Sequence, residues 1–135
     1  MENFSDTRIL LVERDDEIRN LFEMFLSWQG YSVFAAREPG EALETIYSTS
    51  PHVIFSSLVF CDMDGFNFCR KLRTLPQTKD ALIVALTGYF ETDVEQRTID
   101  AGFDKFFLKP ISIHDMVSLI EEYRRSRVSE DLLQV

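Results

Sequence analysis

Apolar segments of strand length alternate five times with segments of helical periodicity along the 135-residue chain. Continuous apolar segments are typical of strands buried on both faces of a sheet. The predicted strands are Arg8–Glu13, Tyr31–Ala35, Val53–Ser57, Ala81–Leu86 and Asp104–Leu108. Strands that alternate with helices favour a parallel sheet covered by helices on both faces. The pattern therefore predicts one α/β domain.

The intervening segments predict five helices, because their apolar residues recur every three or four positions. Asp15 or Asp16 is placed to cap the first helix. The fourth helix, about Glu91–Ala101, has the weakest apolar stripe, which makes it a candidate for motion or partner contact. The last helix is expected over about Ser112–Arg125. We expect the domain to span residues 1–126 and residues 127–135 to form a frayed tail.

Composition narrows the classes of function. The net charge of −9 and the pI near 4.6 argue against binding to a nucleic-acid backbone, which requires clustered cations. No apolar run approaches the roughly 20 residues that span a bilayer, so we expect no membrane contact and a cytoplasmic location. Cys61 and Cys69 have no partners at zinc-ligand spacing, and we expect two reduced thiols and no metal site.

Polar residues follow four of the predicted strands at their carboxyl ends, where ligands collect in open parallel sheets. Glu13 ends the predicted first strand and Arg14 follows it, and Ser57 ends the third strand. Thr87 follows the fourth strand and Lys109 the fifth. Ser57 and Thr87 therefore stand at the edge of the sheet where ligands and chemistry collect.

Four motifs occur in order around these positions: Ile-Leu-Leu-Val, Asp-Met-Asp-Gly-Phe, Leu-Thr-Gly and Ala-Gly-Phe-Asp-Lys-Phe-Phe-Leu-Lys-Pro. With them, the chain resembles response-regulator receiver domains from about Thr7 to Arg125. The resemblance implies a flavodoxin-like (CheY-like) three-layer sandwich with five parallel strands in the order 2-1-3-4-5 and five helices. It also implies a module of two-component signalling rather than an enzyme.

The resemblance assigns roles to these residues position by position. Receivers hold magnesium with two acidic residues after the first strand and with the aspartate that ends the third strand and accepts the phosphoryl group. Here those positions carry Glu13, Arg14 and Ser57. Thr87 and Lys109 match the phosphoryl-binding hydroxyl and amine, and Phe106 stands at the switch aromatic position. The resemblance is therefore to a degenerate, atypical receiver, or pseudo-receiver, without its phosphoacceptor aspartate.

Charge at these positions argues against a bound metal. Glu13, Arg14 and Lys109 sum to +1, whereas a typical receiver site has three carboxylates and one lysine. At about 4 Å and an effective dielectric near 20, each unit pair is worth about 4 kcal/mol. We therefore expect no magnesium and no other cofactor. A buried ammonium needs a partner, so Lys109 should bond Glu13, the Ser57 hydroxyl or a backbone carbonyl, while Arg14 points outward or pairs with a carboxylate.

The sequence leaves alternatives open. A register shifted along the chain would make Asp15 and Asp16 the acidic pair. A phosphoaccepting response regulator could use magnesium and a non-standard residue, such as Asp62 or Asp64. A nucleotide- or flavin-binding protein of the same topology is a third alternative, although the chain lacks the glycine-rich motifs of such sites. The preferred hypothesis is a signalling module that acts through protein–protein interaction independently of phosphorylation.

The resemblance also predicts where a partner binds. In receivers, the face made by the fourth helix, the fifth strand and the fifth helix is the usual output and dimerisation surface. In this chain Tyr89, Phe90, Phe106 and Phe107 concentrate aromatic area near that face, and exposed aromatics are favoured interface anchors. We therefore expect a signalling protein or a second copy of the chain to bind there.

Overall fold

The computed structural model describes residues 6–88 and 92–133 of the chain. Strands and helices alternate throughout these residues. The strands are β1 (Arg8–Val12), β2 (Ser32–Ala36), β3 (Val53–Ser57), β4 (Leu82–Thr87) and β5 (Lys105–Leu108). The helices are α1 (Asp16–Trp28), α2 (Pro39–Thr49), α3 (Gly65–Leu72), α4 (Val94–Ala101) and α5 (Ile113–Leu133).

The strands form one parallel sheet in the order β2-β1-β3-β4-β5, which confirms the predicted topology. Val12 at the end of β1 lies opposite Ser56 of β3, and Ser57 lies opposite Leu86 of β4. The residues that follow these strands consequently emerge together at the carboxyl edge of the sheet.

The core consists of two apolar clusters, one on each face of the sheet. Alternate strand residues point to opposite faces, so Leu10 contributes to one cluster and Ile9 to the other. The first cluster packs against α2, α3 and α4, and the second against α1 and α5. The sheet is therefore the middle of three layers.

Polar side chains cap α1, α3 and α5, and the cap of α1 confirms the prediction that Asp15 or Asp16 begins this helix. The Asp15 carboxylate accepts a hydrogen bond from the Ile18 amide at 3.0 Å and begins α1. The Asp64 carboxylate accepts one from the Asn67 amide at 2.9 Å and begins α3. The Ser112 hydroxyl oxygen accepts one from the Asp115 amide at 3.0 Å, at the start of α5.

Helix α4 has the narrow buried stripe that was predicted. Val94, Thr98 and Ala101 are buried, whereas Ile99 is 58% exposed. The predicted first residue, Glu91, lies outside the described residues. The helix therefore contributes three side chains to the core and leaves one large apolar side chain in water.

Helix α5 is longer than the sequence suggested. It continues to Leu133, whereas we expected it to end near Arg125. Residues 134 and 135 of the expected tail lie outside the described residues. The segment from Ser126 to Leu133 contains neither proline nor glycine, so nothing in it breaks the helix.

Within the described residues, no helix combines the length and the hydropathy that crossing a bilayer requires.

Candidate functional site

Three side chains from separate parts of the chain converge at the carboxyl edge of the sheet. Glu13 follows β1, Ser57 ends β3 and Lys109 follows β5. The Ser57 hydroxyl donates a 2.9 Å hydrogen bond to Glu13 Oε1. Lys109 Nζ donates to the same carboxylate oxygen at 2.5 Å and to Ser57 Oγ at 3.0 Å. This network confirms the partners predicted for Lys109.

The Glu13 carboxyl group is held in its ionised form. Burial alone would raise its pKa, but this effect is outweighed by hydrogen bonds from the Asp15 amide, Lys109 and Ser57 and by the charge of Lys109. The net result is a lowered pKa. The Asp15 amide binds the second carboxylate oxygen, Oε2, at 3.0 Å. Both carboxylate oxygens therefore have protein donors.

Arg14 turns away from this network. Its side chain is 45% exposed, and its Nε lies 3.7 Å from Glu38 Oε1. The Glu38 carboxylate also accepts hydrogen bonds from the Cys61 amide, at 2.7 and 3.2 Å. This geometry confirms the expectation that Arg14 pairs with a nearby carboxylate, which links it to the loop after β3.

Thr87 and Lys109 are joined through the backbone at the end of the sheet. The Lys109 amide donates a 2.6 Å hydrogen bond to the Thr87 carbonyl oxygen, which extends the pairing of β4 with β5. Thr87 is buried, and with Glu13, Arg14, Ser57 and Lys109 it lines a cleft of about 530 Å³. The five predicted side chains therefore line one cleft, and the phosphoryl-binding role of Thr87 and Lys109 stays a prediction.

The alternative acidic pair, Asp15 and Asp16, has other partners. Asp15 caps α1. Asp16 Oδ1 lies 2.7 Å from guanidinium nitrogens of both Arg19 and Arg37. Glu13, by contrast, contacts Ser57 directly, so the geometry favours the register in which Glu13 and Arg14 follow the first strand.

The donor set at this edge does not fit a magnesium ion. Magnesium prefers octahedral oxygen ligands, and receivers supply several carboxylates. Here Glu13 is already bound by Lys109 and Ser57, and Arg14 stands at the second acidic position. In the part of the chain that the structure describes, no three His, Cys, Asp or Glu side chains are grouped to hold a metal.

Asp62 and Asp64, the alternative phosphoacceptors, serve the local structure of the loop after β3. Asp62 Oδ2 accepts a 3.1 Å hydrogen bond from the Gly40 amide in α2. Asp64 caps α3 and also accepts a 2.7 Å hydrogen bond from the Asn67 side-chain amide. Neither residue is among those that line the cleft around Ser57.

The predicted interface aromatics divide into two groups. Tyr89 and Phe90 lie outside the described residues. Phe106 and Phe107 are half-buried on opposite faces of the sheet, each packed against one core cluster. The large exposed apolar residues of α4 and β5 are instead Ile99 and Leu108, at 58% and 49%. Neither of these two residues was among the interface residues predicted from the sequence.

Arg19 is another contributor that the sequence analysis missed. Its guanidinium donates a 2.9 Å hydrogen bond to the Glu13 carbonyl oxygen, and its side chain is 14% exposed. It therefore braces the backbone that carries Glu13. The sequence signal for this contact was an arginine six residues after Glu13, in the first turn of α1.

The five-stranded parallel sheet with helices on both faces is the fold of receiver domains. Residues 9–121 match the model of the response regulator receiver domain, and the chain belongs to that family. Receiver domains are signalling modules, and this chain is a receiver domain of the two-component response-regulator type.

The chain is also similar in sequence to two known proteins. The chain is 30% identical over 124 residues to the response regulator MprA of Mycolicibacterium vanbaalenii, covering 92% of this chain but 53% of that protein. It therefore spans about half the length of MprA. It is 28% identical over 123 residues to an uncharacterized 14.6 kDa protein in the sodA1 3′ region of Leptolyngbya boryana, covering 91% of this chain and 94% of that one.

Solved structures share the fold. A response regulator receiver domain protein (CheY-like) from Methanospirillum hungatei superposes with a TM-score of 0.84 at 26% identity, over 92% of this chain and 98% of that one. A two-component response regulator from Clostridium difficile superposes with a TM-score of 0.82 at 26% identity, over 88% of this chain and 96% of that one.

Proposed function

We propose that this chain is a receiver module that signals through protein–protein interaction, independently of phosphorylation, in a two-component-type pathway. The observation that supports this proposal is the network of Glu13, Ser57 and Lys109 at the phosphoacceptor edge. In this network a hydroxyl replaces the aspartate nucleophile, and an ammonium contacts the carboxylate that would otherwise help to bind the metal.

Ser57 is a weak nucleophile in this setting. A serine hydroxyl is neutral at pH 7 and needs an adjacent base to attack a phosphoryl group. The Glu13 carboxylate accepts the Ser57 proton in a hydrogen bond, but its lowered pKa makes it a poor base. Lys109 donates to the Ser57 oxygen, the atom that would have to attack.

Phosphodonor labelling tests the proposal. The wild-type chain is incubated with acetyl phosphate and magnesium, and its intact mass is measured. We expect the unmodified mass. The control is the double variant Arg14→Asp, Ser57→Asp, which restores three carboxylates and should gain an adduct of about 80 Da, the mass of one phosphoryl group.

An adduct on the wild-type chain, mapped by peptide analysis to the loop after β3, would overturn the proposal. It would favour instead a phosphoaccepting regulator that uses a non-standard residue such as Asp62 or Asp64. The double variant shows whether the cleft itself can still bind a phosphoryl group when the acidic residues are present.

We further assign the partner surface to α4, β5 and α5. Ile99 and Leu108 are large apolar side chains exposed on this face, and such side chains are suited to burial by a partner. The partner is a signalling protein or a second copy of the chain. Substitution of Ile99, described in the Discussion, tests this surface separately from the phosphorylation question.

A further inference from the structure

A cavity of about 360 Å³ lies between α1 and α5, next to the network of Glu13, Ser57 and Lys109. Its described walls are mainly apolar. Ile18, Phe22 and Phe25 contribute from α1, and Ile113 and Met116 from α5. Protein interiors are packed almost as densely as organic crystals, so a space of this size is unusual for a simple packing defect.

The mouth of the cavity is open to water. Ile18 is 36% exposed and Leu21 is 46% exposed, although both line the cavity. Neither residue belongs to the second core cluster, whose members Leu26, Met116 and Ile120 are fully buried. The exposed apolar residues at the mouth are therefore free to contact a ligand rather than being needed by the core.

The charged residues that line this cavity give it a polar end with a net positive charge. Among the described lining residues, Glu13 carries one negative charge and Arg19 and Lys109 carry one positive charge each, which sums to +1. Arg19 is tied to the Glu13 carbonyl oxygen and to Asp16. The cavity thus combines an apolar body with one end that favours a single negative charge.

These features define a ligand class. Small-molecule pockets usually measure about 300–1,000 Å³ and combine apolar walls with a few polar groups. At roughly 30 Å³ for each water-sized group, the cavity holds about a dozen non-hydrogen atoms. The geometry points to a binding site for a small amphipathic monoanion, such as a medium-chain or aryl carboxylate, with its carboxylate directed to Lys109. This site goes beyond the proposed function and does not depend on it.

The site is coupled to the cleft around Ser57 through shared residues. Glu13 and Lys109 line both the cavity and that cleft. A bound carboxylate competes with Glu13 for the Lys109 ammonium, since both are anions seeking the same donor. Occupancy of the cavity therefore alters the contact that holds β1, β3 and the segment after β5 together.

Titration with matched ten-carbon probes tests the site on the wild-type chain. Decanoate, decanol and decylamine are each added below their micelle concentrations, and backbone amide shifts are followed by NMR. We expect saturable shifts with decanoate, concentrated in α1 and the first turns of α5, and binding about tenfold weaker for decylamine. Equal affinity for decanoate and decylamine, or shifts concentrated elsewhere, would overturn the inference.

Two variants of matched chemistry locate the site. Ile18→Trp places a larger side chain at the mouth and should weaken decanoate binding about tenfold. Tyr47→Trp places the same side chain at an exposed position of α2, away from the cavity, and should leave the affinity unchanged. Circular dichroism checks that both variants fold. If Ile18→Trp misfolds, the shift map of the wild-type chain still decides the location.

Glu13→Gln tests the competition for Lys109. Removal of the carboxylate frees the ammonium, so decanoate should bind several-fold more tightly to this variant than to the wild-type chain. Unchanged or weaker binding would contradict the coupling. None of these titrations contains a phosphodonor. Their results therefore test ligand binding in the cavity and leave the proposal of phosphorylation-independent signalling to its own experiment.

Discussion

The Lys109 amide lies 2.6 Å from the Thr87 carbonyl oxygen, so backbone pairing of the last two strands continues one residue beyond β5. This bond fixes the main chain of Lys109 at the sheet edge, and the side chain then reaches Glu13 and Ser57. Strand pairing, rather than a flexible loop, therefore positions the ammonium.

Replacement of Lys109 by methionine should destabilise the fold. The Lys109 side chain is 27% exposed and the Glu13 side chain 12%, so the pair is only partly screened by solvent. Hydrogen bonds to charged groups contribute about 1.5–3 kcal/mol, and with this screening we expect a loss of about 1–2 kcal/mol. The measurement is the free energy of unfolding in urea at pH 7.

Lys71→Met is the matched control for this substitution, because Lys71 is exposed on α3. A surface change of this kind should alter the free energy of unfolding by less than about 0.5 kcal/mol. If Lys109→Met were as stable as Lys71→Met, the network would not stabilise the fold.

The stability of the chain should fall in acid partly through Glu13. Its folded-state pKa is lowered because hydrogen bonds and the Lys109 charge outweigh burial. The unfolded chain, with a glutamate pKa of about 4.3, takes up the proton first as the pH falls. The stabilisation is therefore complete above about pH 5 and is lost as the pH falls through the folded-state pKa.

Comparison with Glu13→Gln isolates this residue, since other carboxyl groups also titrate in acid. Urea unfolding of both proteins is measured at several pH values between about 3 and 7. The difference in free energy of unfolding between wild type and variant should shrink as the pH falls. A difference that stayed constant would show that Glu13 has the same pKa in both states.

Gly65 should resist substitution because its backbone touches the end of β3. A Cβ at this position would lie 2.6 Å from Leu58 Cα and 2.8 Å from the Ser57 carbonyl oxygen. These are backbone atoms, so the strand end itself would have to move. We expect Gly65→Ala to cost about 1–3 kcal/mol, as overpacking does in cores, measured by urea unfolding.

Gly88→Ala provides the contrast at the same edge of the sheet. Among the described residues, a Cβ at Gly88 meets no atom within 4 Å. Its stability should stay within about 0.5 kcal/mol of wild type. Equal stabilities for the two alanine variants would mean that the Gly65 contact is relieved at no cost.

Ile99→Ser should weaken the proposed partner face without unfolding the domain. Ile99 is 58% exposed on α4, so its replacement removes little from the core. Self-association is measured by sedimentation velocity, and capture of a signalling partner by pull-down with the purified domain. At least one of these two interactions should weaken. The melting temperature should change by no more than a few degrees.

Tyr47→Ser on α2 is the matched control, because Tyr47 is also 58% exposed. It should leave both interactions intact. Equal effects of the two variants, or no effect of Ile99→Ser on either interaction, would count against the face formed by α4, β5 and α5.

Much of this arrangement follows from short sequence patterns. The carboxyl ends of parallel strands lie at one edge of the sheet, and the resemblance to receivers placed Glu13, Ser57 and Lys109 at these ends. The partners of Lys109 then followed from the cost of burying an unpaired ammonium. The narrow stripe of α4 followed from helical periodicity.

Side-chain contacts between residues far apart in the sequence had no such signal. Arg73 donates hydrogen bonds to the carbonyl oxygens of Ala81 and Gly102, each at 2.8 Å, and to Asp104 at 2.7 Å. Tyr31 donates to Glu121, 90 residues away in the sequence. Such partners depend on how loops turn and how helices pack, which neither periodicity nor residue spacing encodes.

The Arg73 contacts have a mechanical consequence for α4. Gly102 ends this helix in a left-handed conformation, with φ near 110°, and Arg73 holds its carbonyl oxygen. The guanidinium thereby pins the carboxyl end of α4 to the start of β4. Any displacement of the helix is then a swing about this fixed end, with the largest travel at Val94, rather than a slide along the sheet.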